Sequence, residues 1–192
     1  MSEEEFEVHA PHHDVIDQAA EHGGKDPFVG RIAVTTAILA TIGALSSYQG
    51  GATQANAMLY KNNAAIKKTE AANQWNYYQA KSSKQNLAEL AAVLVPADKQ
   101  NRFKADIERY AQEKASIAKA AEKFEAESKE WDERSGHELH VHHRWAQSTT
   151  FLQVAIALSA IALLTRKTWL QWGVYIIAAL GIIWGLSAVT LL

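Results

Sequence analysis

From Phe151 to Leu192 the chain reads as two apolar runs, Phe151 to Leu164 and Trp169 to Leu192, held apart by the basic turn Thr165-Arg166-Lys167-Thr168. The second run carries no Asp, Glu, Lys, Arg or His. As a helix rising about 1.5 Å per residue it is long enough to cross a hydrocarbon core of about 30 Å. In such a solvent the backbone must satisfy its own hydrogen bonds, which restricts an open segment to helix. The pattern predicts a membrane hairpin.

A third run, Ile32 to Tyr48, is apolar but rich in Ala, Thr and Gly, so it gains less per residue on insertion. Charge is absent from 32–48 and, apart from Arg166 and Lys167, from 149–192, while it is dense from 61 to 144. The slightly negative mean hydropathy therefore averages two environments. With 19 Lys and Arg against 21 Asp and Glu, and lysines interleaved with glutamates, there is no basic field for nucleic acid. The absence of cysteine excludes disulfides, thiolate metal sites and cysteine nucleophiles.

These features predict an all-α membrane protein with three transmembrane helices and a long antiparallel, coiled-coil-like helical hairpin. The expected divisions are an acidic, His-containing tail over 1–26, with one short helix from about Pro11 to Gly23-Gly24, and a first span over 27–49. An extramembrane hairpin over 50–147 with its turn near 95–98 follows, then spans over 148–165 and 168–191. Asp26-Pro27 reads as an N-cap followed by proline at the first helical position, where its missing N–H costs nothing. A signal peptide over 25–47 is the rival reading; the long acidic segment before it argues against that. Pro96 forbids a straight continuation of helix and sets the hairpin turn. Counted from there, the arms reach Gly51 and Trp145 after about 45 and 49 residues, roughly 65 to 75 Å each. Gly50-Gly51 and Ser135-Gly136 are candidate bends. Thr168-Trp169-Leu170-Gln171 has the spacing of a capping box.

The second arm shows one apolar stripe: Phe103, Ile107, Tyr110, Ile117, Ala121, Phe124 and Trp131. The first arm shows a weaker one at Leu59, Ile66, Ala80, Leu87 and Leu94, interrupted by Asn62, Asn73 and Asn76. Asparagine in such a seam costs stability and favours one register. Trp75, Tyr78 and Gln79 share a helical face, with Tyr77 and Lys81 on the next. Together with Phe103, Ile107, Tyr110, Phe124 and Trp131 they form the expected interaction face, toward the other arm or a neighbouring subunit.

Three spans place the tail and the Arg166-Lys167 turn on one side and the hairpin on the other. Lys25, Arg31, Arg166 and Lys167 mark the tail side as cytoplasmic, because long loops translocate largely regardless of charge. Lys61 and Arg144 moderate that bias. The hairpin is then expected outside the cytoplasm.

The segment Asn73-Gln74-Trp75-Asn76-Tyr77-Tyr78-Gln79-Ala80-Lys81 resembles the W-x-Y-Y-Q-A-K segment of an uncharacterised bacterial integral membrane protein family, the domain of unknown function four-three-three-seven. Ser159-Ala160-Ile161-Ala162-Leu163-Leu164-Thr165-Arg166 is similar to that family's penultimate span and turn. With the apolar run after Pro27, the likeness covers about 26 to 190. It implies an intrinsic protein of the bacterial cytoplasmic (inner) membrane and brings no activity, cofactor or catalytic residue.

His137, His140 and His143, with His142 and Glu138 nearby, are the candidate ligands for a divalent metal, since neutral imidazoles one helical turn apart suit Zn, Ni or Cu. The same histidines are also a candidate pH sensor, because imidazole as a side-chain type changes charge near physiological pH. His9, His12 and His13 form a second group, separated from the first by one span. The Gly181 to Gly185 spacing, like Ala33, Ala37 and Thr41, permits close helix packing. No P-loop, G-x-G-x-x-G, H-E-x-x-H or G-x-S-x-G pattern occurs, and the spans lack the ionisable groups of pumps and transporters. The expected role is therefore non-enzymatic and without cofactor: a scaffold or accessory subunit, with membrane lipid and a homo-oligomer or larger membrane complex as partners. The alternatives are a homo-oligomeric pore lined by Thr35, Thr36 and Thr41, and a metal- or pH-responsive membrane protein.

Overall fold

The computed structural model describes residues 27–191. The expected short tail helix, Asp26 and the tail histidines His9, His12 and His13 lie outside these residues. All three long elements are helices: α1, Pro27–Leu94, α2, Gln100–Thr165, and α3, Thr168–Val189, with a 3-10 turn, Ala97–Lys99, between the first two. No strand occurs among the described residues. All three helices are long and apolar enough over part of their length to cross a membrane.

Local chemistry sets the ends. Proline opens α1 where no N–H is needed. At the other end Val95 precedes Pro96, whose ring disfavours helical backbone in the residue before it, so α1 stops at Leu94. Between α2 and α3, Arg166 takes a left-handed φ of 53° and Lys167 is extended. Two residues thus reverse the chain.

Three expectations are corrected. The helices run unbroken through Gly50-Gly51 and Ser135-Gly136. Gly50 sits under Trp145, where a Cβ would come within 3.3 Å of the Trp145 Cβ. The cap of α3 is Lys167 and makes no side-chain bond; Thr168 is already helical, and Gln171 Nε2 donates instead to the Tyr175 hydroxyl. The first-arm stripe is not the contact face, since Leu59, Ile66, Leu87 and Leu94 are exposed.

The described residues form two compact units, one of residues up to Gln54 with those from Leu139 onward, the other Ala55–Glu138. In the second unit α1 and α2 run antiparallel, and the buried α1 positions are Ala57, Ala64, Ala71 and Ala88. The first three are seven residues apart, two helical turns, so they line one face. Facing them, the Ser135 hydroxyl donates to the Ala57 carbonyl and that of Ser128 to the Ala64 carbonyl, both at 2.8 Å. Only a helix with side chains this small lets a serine reach its backbone.

In the first unit Leu39, Leu152, Ala155, Val174 and Ala178 form a core. Close approach again relies on small residues. A Cβ at Gly181 would meet Leu152 at 3.0 Å, and one at Gly185 would meet Ser148 Oγ at 2.9 Å. Ser148 donates to the Gly181 carbonyl at 2.8 Å.

Ala64→Leu is expected to destabilise the chain by about 1–3 kcal/mol through overpacking, whereas Lys129→Ala, at an exposed site, stays within about 0.5 kcal/mol. Denaturant unfolding of the full chain in detergent, followed by helical circular dichroism, checks both.

Candidate functional site

Within Ala55–Glu138 the two helix flanks beside the alanine seam carry a lattice of cations, rings and carboxylates. Lys81 Nζ pairs with Glu113 and lies 5.1 Å from the Tyr77 ring centre and 5.6 Å from that of Tyr110. Lys114 Nζ stands 5.0 Å over Tyr78 and donates to Gln85 Oε1 at 3.2 Å. Trp75 Nε1 donates to Glu125 at 2.7 Å, and its ring meets Tyr78 edge-on at 5.6 Å. Lys67 bridges Glu70 and Glu127 at 2.9 and 3.1 Å and covers the Phe124 ring at 5.0 Å. Tyr60 and Trp131 lie 5.5 Å apart.

Most of the expected interaction face is therefore spent inside the hairpin. Trp75, Tyr78, Lys81, Tyr110, Phe124 and Trp131 are half-buried in contacts across or along the two helices. Phe103 and Ile107 are half-buried as well, while Tyr77 and Gln79 are exposed. Each cation touches both a ring and an acceptor, so a slip of one turn breaks several contacts together. This arrangement fixes register.

The charges respond to one another. Hydrogen bonding to Glu113, then to Tyr77, raises Lys81 above the usual lysine range. The Lys81 bond lowers Glu113, and the fields of Lys81, Arg109 and Lys84 reinforce it against desolvation. Bonds to Glu70 and Glu127 raise Lys67.

Beside this lattice lies an outer face that the contacts do not use. In α1 from Ala55 onward, Met58, Leu59, Ile66, Leu87, Leu90, Val93 and Leu94 are exposed, whereas α2 from Gln100 to Glu138 exposes no large apolar side chain among the described residues. The asymmetry is confined to one helix.

Among the described residues no group of three or more His, Asp or Glu side chains is placed to hold a metal ion. His137, His140 and His143 are exposed. His142 instead turns inward, its Nδ1–H donating to the Gly50 carbonyl at 2.8 Å. The hydroxyls of Thr35, Thr36 and Thr41 donate to carbonyls four residues back in their own helix. Gly181 and Gly185 are both buried at close contacts with α2.

These features define a class: an all-helical protein with three helices long and apolar enough to cross a membrane and two long helices packed on each other. Residues 28–191 match the domain of unknown function DUF4337, and the chain belongs to that family. No curated protein and no solved structure matches it.

The shifted pair predicts a pH profile. A lowered Glu113 stabilises fully above its unfolded value of about 4.3 and loses that contribution as pH falls through its folded value below it. A raised Lys81 stabilises fully below its unfolded value of about 10.4 and loses it as pH rises through its folded value above it. The denaturant midpoint should be flat from about pH 5 to 10 with respect to this pair, fall at both ends, and fall less at both in Glu113→Gln.

Proposed function

We propose that this chain is a multi-pass protein of the bacterial cytoplasmic membrane that acts as a self-associating scaffold or accessory subunit through its hairpin, which projects outside the cytoplasm. The observation that carries this reading is the outer face of α1. Leu59, Ile66, Asn73, Ala80, Leu87 and Leu94 recur every seven residues, the period at which one helix keeps a single seam turned toward another. An apolar seam left in water costs free energy that a second long helix removes.

A second copy of this chain suits the seam better than an unrelated helix. Two copies held by the same spans in one membrane stand parallel and in register, which sets Asn73 opposite Asn73 and Asn62 opposite Asn62. An amide is donor and acceptor at once, so each pair satisfies itself. The positions three and four residues from the stripe, which adjoin it on the helix surface, hold only Glu70 and Lys84 as charges between 58 and 94, and identical copies therefore meet little like-charge repulsion. The result is a coiled-coil pairing of hairpins, with the Lys81 and Lys67 lattice holding each hairpin rigid behind its seam. The cytoplasmic placing of the tail rests on Lys25, Arg31, Arg166 and Lys167.

The test is the oligomeric state of the detergent-extracted full chain by light scattering. The double variant Ile66→Glu with Leu87→Glu should shift it to monomer with helix content unchanged, because two seam positions would bury like charges. A wild type that is monomeric at every concentration, with no co-purifying partner, contradicts the reading.

A further inference from the structure

The outer faces of the three apolar spans differ in kind. α1 exposes Val34, Ile38 and Leu45, and α3 exposes Trp172, Ile176, Ile183 and Leu186. The outer face of α2 is built from smaller side chains and carries an amide. Ala146, Thr150, Gln153, Ala157, Ala160 and Leu164 follow one another at steps of four and three, and all are exposed except Ala160, which is half-buried. That spacing keeps a narrow strip on one side of a helix. Val154 and Ile161 border it.

Gln153 is the unusual member. The hydroxyls of Thr149, Thr150 and Ser159 each donate to a carbonyl four residues back in α2, so none of them needs a partner from outside. Gln153 makes no hydrogen bond among the described residues. By helix rise it stands about 13 Å from Arg144 and about 20 Å from Arg166, and in a bilayer its side chain is too short to carry the amide to either polar edge. A primary amide left in hydrocarbon without a partner is costly.

A partner must therefore bring a donor and an acceptor to this depth, on a surface that small side chains let come close. Lipid chains bring neither group. A second copy of this chain, standing parallel in the same membrane, holds its own Gln153 at the same height, and each amide can donate to the other's carbonyl. Ala146, Thr150, Ala157 and Ala160 let the two backbones approach, as small residues do between helices in membranes. No Asp, Glu, Lys, Arg or His between 145 and 165 opposes identical copies. We propose that two copies pair through this strip of α2, joined within the membrane by reciprocal Gln153 amide bonds. The inference rests on the membrane reading above and uses residues separate from the hairpin seam. Such bonds are individually weak, so the contact holds under the confinement of a bilayer and parts in detergent.

The test is disulfide cross-linking of the full chain in native membranes, with single cysteines that leave Gln153 in place. Cysteine at 150, 157 and 164 should link copies strongly, and at the half-buried positions 151 and 158 weakly. In the Ala157→Cys chain, Gln153→Leu should lower the linked fraction about three- to tenfold, whereas Gln153→Asn, which keeps the amide, retains it. Position 153 is exposed, so neither change disturbs the packing of the spans. Linking at 157 should also persist when Ile66→Glu with Leu87→Glu opens the hairpin seam. Equal linking at 157 and 158, an undiminished link in Gln153→Leu, or loss of the 157 link in the seam variant overturns the proposal. Failure of the hairpin reading shows itself separately, as no links at 59 and 66 while 157 still links. A chain recovered outside the membrane fraction removes the membrane reading and this contact with it.

Discussion

The hairpin depends on how near its two helices stand. Ala57, Ala64 and Ala71 offer so little side chain that Ser128 and Ser135 reach past them to the backbone carbonyls of the opposite helix. A seam of alanine and serine buries little apolar area per residue, so area alone stabilises it weakly. The cation and ring contacts at its edges supply what the seam lacks. Lys67 and Lys81 each lie between carboxylates of their surroundings and an aromatic face, which holds the register that the uniform small seam leaves loosely specified. In the hairpin the larger aliphatic residues of α1 stand on its outer face, while α2 turns Ile117 inward.

The same device recurs in the apolar unit. Ser148 donates to the Gly181 carbonyl where Gly181 and Gly185 remove the Cβ atoms that would keep the helices apart. In both units a hydroxyl anchors one helix to the other's backbone. Trp145 fills the space beside this contact, and Gly50 shapes α1 around it.

The parts of this architecture governed by local rules were legible in the sequence. Pro96 and the Thr165 to Thr168 turn stop helices whatever surrounds them, and the apolar runs admit little besides helix. The small seam was harder to read, because a search for large apolar residues selects Leu59, Ile66 and Leu87 as the inner face. The signal present was the seven-residue recurrence of Gly43, Gly50, Ala57, Ala64 and Ala71, which marks close approach by smallness and not by hydrophobicity. Gly50-Gly51 and Gly136 look like breaks only in isolation. Gly50 has Trp145 and His142 of the neighbouring helix against it, whereas Gly51 and Gly136 face open space and the helix simply continues through them. Trp75, Tyr78 and Lys81 stood out by type, but their partners Glu125, Lys114 and Glu113 depend on the register of the two arms.

The central claim is that α1 has two working faces, a small one closed within the chain and a large one turned toward a second copy. Because the chain has no cysteine, single cysteines placed in turn from position 57 to 94 and oxidised in native membranes read both faces directly. The account predicts disulfide-linked dimers that peak every seventh residue, at 59, 66, 73, 80, 87 and 94, with minima at 57, 64 and 71. Cross-linking without that period, or strongest at 57, 64 and 71, would contradict it.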